Sequence, residues 1–160
     1  MADEPVVETA GDGGGAPPTN RMVVAVLGLV GLFVALFLWA HNAGLTGPIQ
    51  CGIGDCATVQ SSEYARIGPI PVSAIGVVGY AALIALALVG LQPAHRASRL
   101  VGTMLLAGSG LGVAFSAWLT YLEAFVIHAW CQYCVISAIM ITLIFLASLP
   151  ELGRVRGGDR

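Results

Sequence analysis

Four cysteines stand in two short-range pairs, Cys51 and Cys56 in GPIQCGIGDCA and Cys131 and Cys134 in HAWCQYC. Two cysteines three positions apart on a helix share a face, so their sulfurs can join and separate with little backbone movement. At a helix N-terminus the unpaired N–H groups and the helix dipole favour the thiolate, the form that attacks disulfides and quinones. The sequence predicts such a place for Cys131, in the first turn of a helix, with Cys134 beside it. Two alternatives accompany this redox reading. Each pair can be a structural disulfide, although bridges over two or four intervening residues close loops too short to constrain the unfolded chain much. The four thiols together with His128 can also hold zinc or copper in a membrane transporter or sensor.

The elements that position these thiols belong in a lipid bilayer. Hydrophobic residues make up 57% of the 160 and charged residues 10%, and the mean hydropathy is +0.85. That composition defines a membrane protein and leaves no basic patch for nucleic acid. Charge-free runs of about the 20 residues that cross a bilayer occur at Met22 to Ala40, Ile67 to Leu91, Leu100 to Leu122 and Ala124 to Pro150. The expected fold is an all-α membrane protein, a four-transmembrane-helix bundle with an extracytoplasmic loop carrying a short helix. The first run is longer than the apolar core of a signal peptide, and WAHNAG is a poor cleavage site, so it is read as a retained span.

All seven basic residues are arginines, and six of them (Arg21, Arg96, Arg99, Arg154, Arg156 and Arg160) fall on one side of the four runs. The excess of positive charge places that side in the cytoplasm. Residues 1–20 form a Gly-, Pro- and acid-rich tail without apolar periodicity, read as disordered and cytoplasmic. Residues 21–150 make the membrane domain, and 151–160 a short cytoplasmic end. The connection at about 41–71 is the one with room for structure of its own, and TVQSSEYARI within it suits a short helix on the membrane surface. Both cysteine pairs then face the extracytoplasmic side.

The stretch CGIGDCATVQSSEYARIGPIPVSAIGVVGY, followed by YLEAFVIHAWCQYC, resembles the bacterial branch of the vitamin K epoxide reductase family. The resemblance runs from Met22 to Pro150. It rests on paired loop cysteines, a Ser-Ser ending six residues after the second, a Gly-rich start to the second span, and CxxC opening the fourth. It implies a four-helix bundle enclosing a quinone near the outer face, with Cys131 and Cys134 as the active-site pair. It further implies that Cys51 and Cys56 relay electrons from a thioredoxin-like partner, that Ser62 is the family's loop serine, and that Tyr80 lines the quinone pocket. Many bacterial relatives carry a fused thioredoxin-like domain; this sequence shows none, so the partner is expected to be a separate extracytoplasmic protein. The activity implied is that of a quinone-dependent thiol–disulfide oxidoreductase in the bacterial inner membrane. Its acceptor would be menaquinone or ubiquinone, and its net product disulfide bonds outside the cytoplasm.

Other polar and aromatic residues have plainer readings. Trp39, Trp118, Trp130, Tyr121 and Tyr133 lie near span ends, where aromatic side chains anchor a helix at the interface. Glu123 and His128 are the titratable groups nearest the CxxC; ionisable residues at membrane depth are functional candidates, and either can pass the protons that accompany quinone reduction, the alternative being a place in the wet interface.

Overall fold

The computed structural model describes residues 19–156, with side chains described to Gly153. The tail read as disordered therefore lies outside the described residues, apart from Thr19 and Asn20, which open the first helix. Four helices are long and apolar enough to span a bilayer. They are α1 (Thr19–Asn42), α3 (Val72–Leu91), α4 (Arg99–Leu122) and α5 (Gln132–Ser148). A six-residue helix, α2 (Cys56–Ser61), lies in the loop after α1, and α6 (Pro150–Arg156) follows α5.

Helix α1 packs on α3 and α5, and α4 packs on α5 and α3, which closes a four-helix bundle. The shared core is apolar: Val24, Ala35, Tyr80, Leu83, Ala87, Val101, Leu105, Ile141 and Ile144. The opposite faces carry Phe33 and Val78, each 70% exposed on the isolated chain, as helices with lipid for solvent require. Close approach of the helices relies on small residues. Gly31 shows why: a Cβ there would collide with the Tyr80 ring, so this glycine seats the tyrosine between α1 and α3.

Two charge-free runs are longer than the helices they contain, each for a local reason. The second run starts at Ile67, but α3 begins at Val72, where the connection expected at about 41–71 ends. Arg66–Ile67 and Ile70–Pro71 instead form a two-stranded hairpin, β1 and β2, around Gly68, whose positive φ turns the chain. The fourth run starts at Ala124, but Glu123–Ile127 continue α4 as a wide π-helical turn and α5 starts at Gln132. Hydropathy places both segments with the helices they adjoin, because each carries a single charged residue, Arg66 or Glu123, at its start and is apolar after it.

At the end of the bundle away from the α2 loop, Arg21 is fully buried. Its Nε and Nη2 donate to the two Glu151 carboxylate oxygens at 2.9 Å each, and its Nη1 donates to the Gly90 carbonyl at 2.6 Å and the His95 carbonyl at 3.3 Å. Asn20 Nδ2 adds a hydrogen bond to Glu151 at 2.6 Å. One arginine thus ties the start of α1 to the end of α3 and to α6.

Candidate redox site

Asp55 sets the start of α2 by accepting from the Thr58 amide at 3.0 Å, an N-cap bond that fixes Cys56 as the first helical residue. The short helix therefore starts two residues before the expected TVQSSEYARI stretch, and that shift matters. Cys56, Val59 and Gln60 now share the face turned toward the bundle. Cys56 and Val59 are buried there with Cys131 in one cluster, which Cys51, Ile127, Tyr133 and Cys134 flank. Cys51 and Cys56 are joined as a disulfide with their Cα atoms 5.9 Å apart; Cys131 and Cys134 are unbridged.

The loop is fastened to the CxxC segment by its backbone. Gly54 pairs with Cys131 as an antiparallel bridge, and the Asp55 amide donates to the Trp130 carbonyl at 2.9 Å. From the other side, Gln132 Oε1 accepts from the Gly52 and Ile53 amides at 2.9 and 3.0 Å. Gly54 has φ +91°, and a Cβ there would run into the Trp130 carbonyl, so only glycine fits this crossing.

The CxxC is presented by an unusual run of backbone. After the π turn, His128 takes a left-handed conformation (φ 54°), and the Ala129 amide returns to the Glu123 carbonyl at 3.2 Å. The chain then doubles back, so that Cys131 occupies the N-cap position of α5 in extended conformation rather than its first turn. That corrects the expected placement by one position. The Val135 amide still donates to the Cys131 carbonyl at 3.0 Å, and the Cys131 sulfur stays at the positive end of α5. The Cys131 amide itself donates to Glu123 Oε2 at 3.1 Å.

The Cys134 thiol beside it pulls Cys131 down to about 7 from the usual thiol value. The Cys134 amide and the Gln60 side chain add to that effect, while burial and the Glu123 carboxylate oppose it. Gln60 Nε2 lies 3.9 Å from the Cys131 sulfur and 3.7 Å from the Cys134 sulfur, within range of both. Sequence reading passed over Gln60. Its signal was the four-residue spacing from Cys56, legible only once Asp55 is known to cap the helix.

Behind Cys134 opens a cavity of about 520 Å³, walled by Leu83, Leu86, Leu111, Phe115 and Ile141 and by a few polar groups. Those groups are Gln60, Ser62, Ser73, Tyr80, Glu123 and Ser137. Tyr80, 5% exposed, donates its hydroxyl to the Ser137 carbonyl at 2.8 Å and lies 2.9 Å from the Ser137 hydroxyl. Ser62 caps the end of α2, its Oγ donating to the Val59 carbonyl at 2.7 Å, and it lines the cavity. Ser61 is exposed and bonds only its own helix, to Thr58. The structure thus brings all six expected site residues to one end of the bundle. His128 is exposed, and Trp39, Trp118, Trp130 and Tyr121 stand on the surface near helix ends as anchors would, whereas Tyr133 turns partly inward against Phe37.

Among the described residues no three His, Cys, Asp or Glu side chains converge as metal ligands, and two of the four sulfurs are tied in the loop disulfide. A metal transporter or sensor is therefore not favoured. Four spans with an unbridged, thiolate-forming dithiol at the mouth of an apolar cavity define a redox protein of the membrane. The model of the vitamin K epoxide reductase family matches residues 22–149, and the chain belongs to that family of membrane oxidoreductases.

Proposed function

We propose that this protein carries electrons from a thioredoxin-like dithiol on the extracytoplasmic side, through Cys51–Cys56 and Cys131–Cys134, to menaquinone or ubiquinone in the bilayer of the bacterial inner membrane. The net result is disulfide formation outside the cytoplasm. One observation carries this reading: Cys56 of the loop disulfide is buried in the same cluster as Cys131, while Cys134 lines the apolar cavity. The two pairs thus stand in series between an exposed loop and a lipid-like chamber.

Each step is thiol–disulfide exchange until the last. A partner thiolate attacks Cys51, the more accessible sulfur of the loop bridge, and a second partner thiol releases Cys51 and Cys56 as thiols. Cys56 then attacks Cys131 of the oxidised CxxC, freeing Cys134. Cys51 attacks Cys56, which restores the loop disulfide and leaves Cys131 and Cys134 reduced. The observed state, with the loop bridged and the CxxC unbridged, corresponds to this point. Finally the dithiol gives two electrons and two protons to the quinone and closes to a disulfide. The cavity suits such an acceptor: apolar walls match the ring and tail, and the Gln60 amide and the Ser137 hydroxyl can donate to a carbonyl oxygen, while Ser62 and Tyr80 border the cavity with hydroxyls already donated to Val59 and Ser137. Gln60, placed against both sulfurs, stabilises the thiolate during exchange.

The test is quinone reduction by the purified protein supplied with a reduced thioredoxin-like donor. Turnover that requires all four cysteines supports the reading. Thiol oxidation of the donor without quinone reduction would sink the acceptor, and quinone reduction with Cys51 and Cys56 both replaced would sink the relay.

A further inference from the structure

Glu123 is a carboxylate placed where a membrane protein ordinarily avoids one, and the steps above leave it without a task. It is the first residue of the π turn that ends α4 and is 4% exposed. Its Oε2 accepts from the Cys131 amide at 3.1 Å, and its side chain also lines the cavity beside Cys134. The left-handed His128 that closes this turn is a conformation few non-glycine residues adopt. Together they return the chain so that Cys131 faces Glu123. A carboxylate retained at membrane depth, and directed at a dithiol, marks a proton or ion path.

The chemistry of the last redox step needs such a group. Oxidation of the dithiol releases two protons and the quinone consumes two, so a side chain that touches the dithiol and also borders the cavity can hand a proton from one to the other. We infer that Glu123 is the catalytic proton carrier between the dithiol and the quinone. It takes the proton from Cys134 as that sulfur gives up its electron pair and Cys131 closes the disulfide. The same proton then passes to an oxygen of the quinone as it is reduced, and Glu123 is again a carboxylate. Cys131, the more acidic thiol, has already lost its own proton, which the quinone takes from solvent. The balance is two S–H bonds broken, one S–S bond formed, and two electrons and two protons on the quinone. Like charges sharing a small, poorly solvated site disfavour one another, so a proton on Glu123 and a thiolate on the cysteines favour each other. The other titratable groups nearby do not compete for this role. Tyr80 is engaged with Ser137, His128 and Asp55 are exposed, and Cys56 is held in the loop disulfide.

This inference rests on the quinone reading, and the experiment separates the two. Glu123→Gln keeps an oxygen to accept from the Cys131 amide but cannot carry a proton. In the purified full chain without quinone, the ultraviolet thiolate absorbance of the reduced variant should rise at lower pH than in wild type, because a negative neighbour has been removed. With a short-chain quinone added to the pre-reduced protein, the single-turnover reduction step should slow by roughly 100-fold, the lower range for loss of a general acid–base group. Exchange from Cys56 to Cys131, followed by trapping the thiols, should not slow, because loss of the negative neighbour does not hinder departure of the Cys134 thiolate. An unshifted thiolate midpoint, a quinone step at the wild-type rate, or equal slowing of exchange and quinone steps overturns the assignment. Wild-type protein that exchanges thiols yet reduces no quinone overturns the acceptor reading instead, while the thiolate midpoint still decides whether Glu123 acts on the dithiol. Should the glutamine variant fail to fold, the wild-type quinone step in D₂O decides: slowing supports the proton carrier, and an unchanged rate overturns it.

Discussion

Cys131 is poised by its immediate neighbours rather than by exposure, since no part of it reaches the surface. The Cys134 thiol is the largest influence holding Cys131 near 7, so the thiolate is the minor form below that pH and the major form above it. Reduced protein titrated by ultraviolet thiolate absorbance should show a first midpoint about 7. Cys134→Ala should move it upward, because the hydrogen-bond donor is gone and burial remains. A wild-type midpoint in the usual thiol range of about 8.5 would contradict this account. Ser62 and Ser61 make a second contrast at this scale. Ser62 fastens the last turn of α2 and lines the cavity, whereas Ser61 is exposed. Ser62→Ala should lower quinone turnover with the cysteine redox states unchanged, and Ser61→Ala should leave turnover near wild type; the reverse order would assign the role to the wrong serine.

The α2 loop acts as an element because its backbone, not only its disulfide, is docked on residues 130–132. Docking holds Cys56 against Cys131, and removing Cys51 should therefore trap them. Cys51→Ala leaves Cys56 without the thiol that resolves the mixed disulfide, so a Cys56–Cys131 bridge should accumulate. It would close a loop of about 75 residues, worth about 4 kcal/mol by chain-entropy reasoning, and should persist through purification. Non-reducing peptide mapping reads the result. Cys131 joined to Cys134 with Cys56 free would show that electrons do not pass in this order. Gly54→Ala in the same background should reduce the trapped fraction, because a Cβ at that crossing pushes the loop away from Trp130.

At the scale of the whole molecule, the two ends of the bundle are built differently. One end holds the thiols, the cavity and the loop; the other is closed by the buried Arg21–Glu151 pair, with Gly90 and His95 carbonyls completing the arginine's bonds. Removing one partner of a buried pair strands the other, at a typical cost of 3–5 kcal/mol. Arg21→Met should therefore lower the unfolding temperature in detergent by an amount corresponding to about 3 kcal/mol or more, and adding Glu151→Leu should recover much of it. A double variant no more stable than the single would argue against a stranded charge. The arginine asymmetry supports the proposed orientation, with the loop outside. A membrane-impermeant thiol reagent applied to whole cells after mild reduction should label Cys51 ahead of Cys56, which is 1% exposed; labelling only after lysis would reverse the topology.

The sequence by itself determined the solvent, the number of spans and the two thiol pairs, because hydropathy, charge and cysteine spacing are local properties that survive without a fold. It also carried the family, since the motif combination from Cys51 to Cys134 is written in one dimension. What it left open were the boundaries that depend on backbone rather than composition. After Arg66 and Glu123, the hairpin before α3 and the π turn after α4 read as apolar as helix, so hydropathy does not set where the helices begin and end. The role of Glu123 and the presence of Gln60 at the sulfurs belong to the tertiary structure as well. Glu123 lies eight positions before Cys131, and Gln60 lies 71 before it. Only the reversal at His128 and the docking of α2 bring those polar atoms to the thiols, because hydrogen bonding at a buried site depends on ångström distances that sequence separation does not encode.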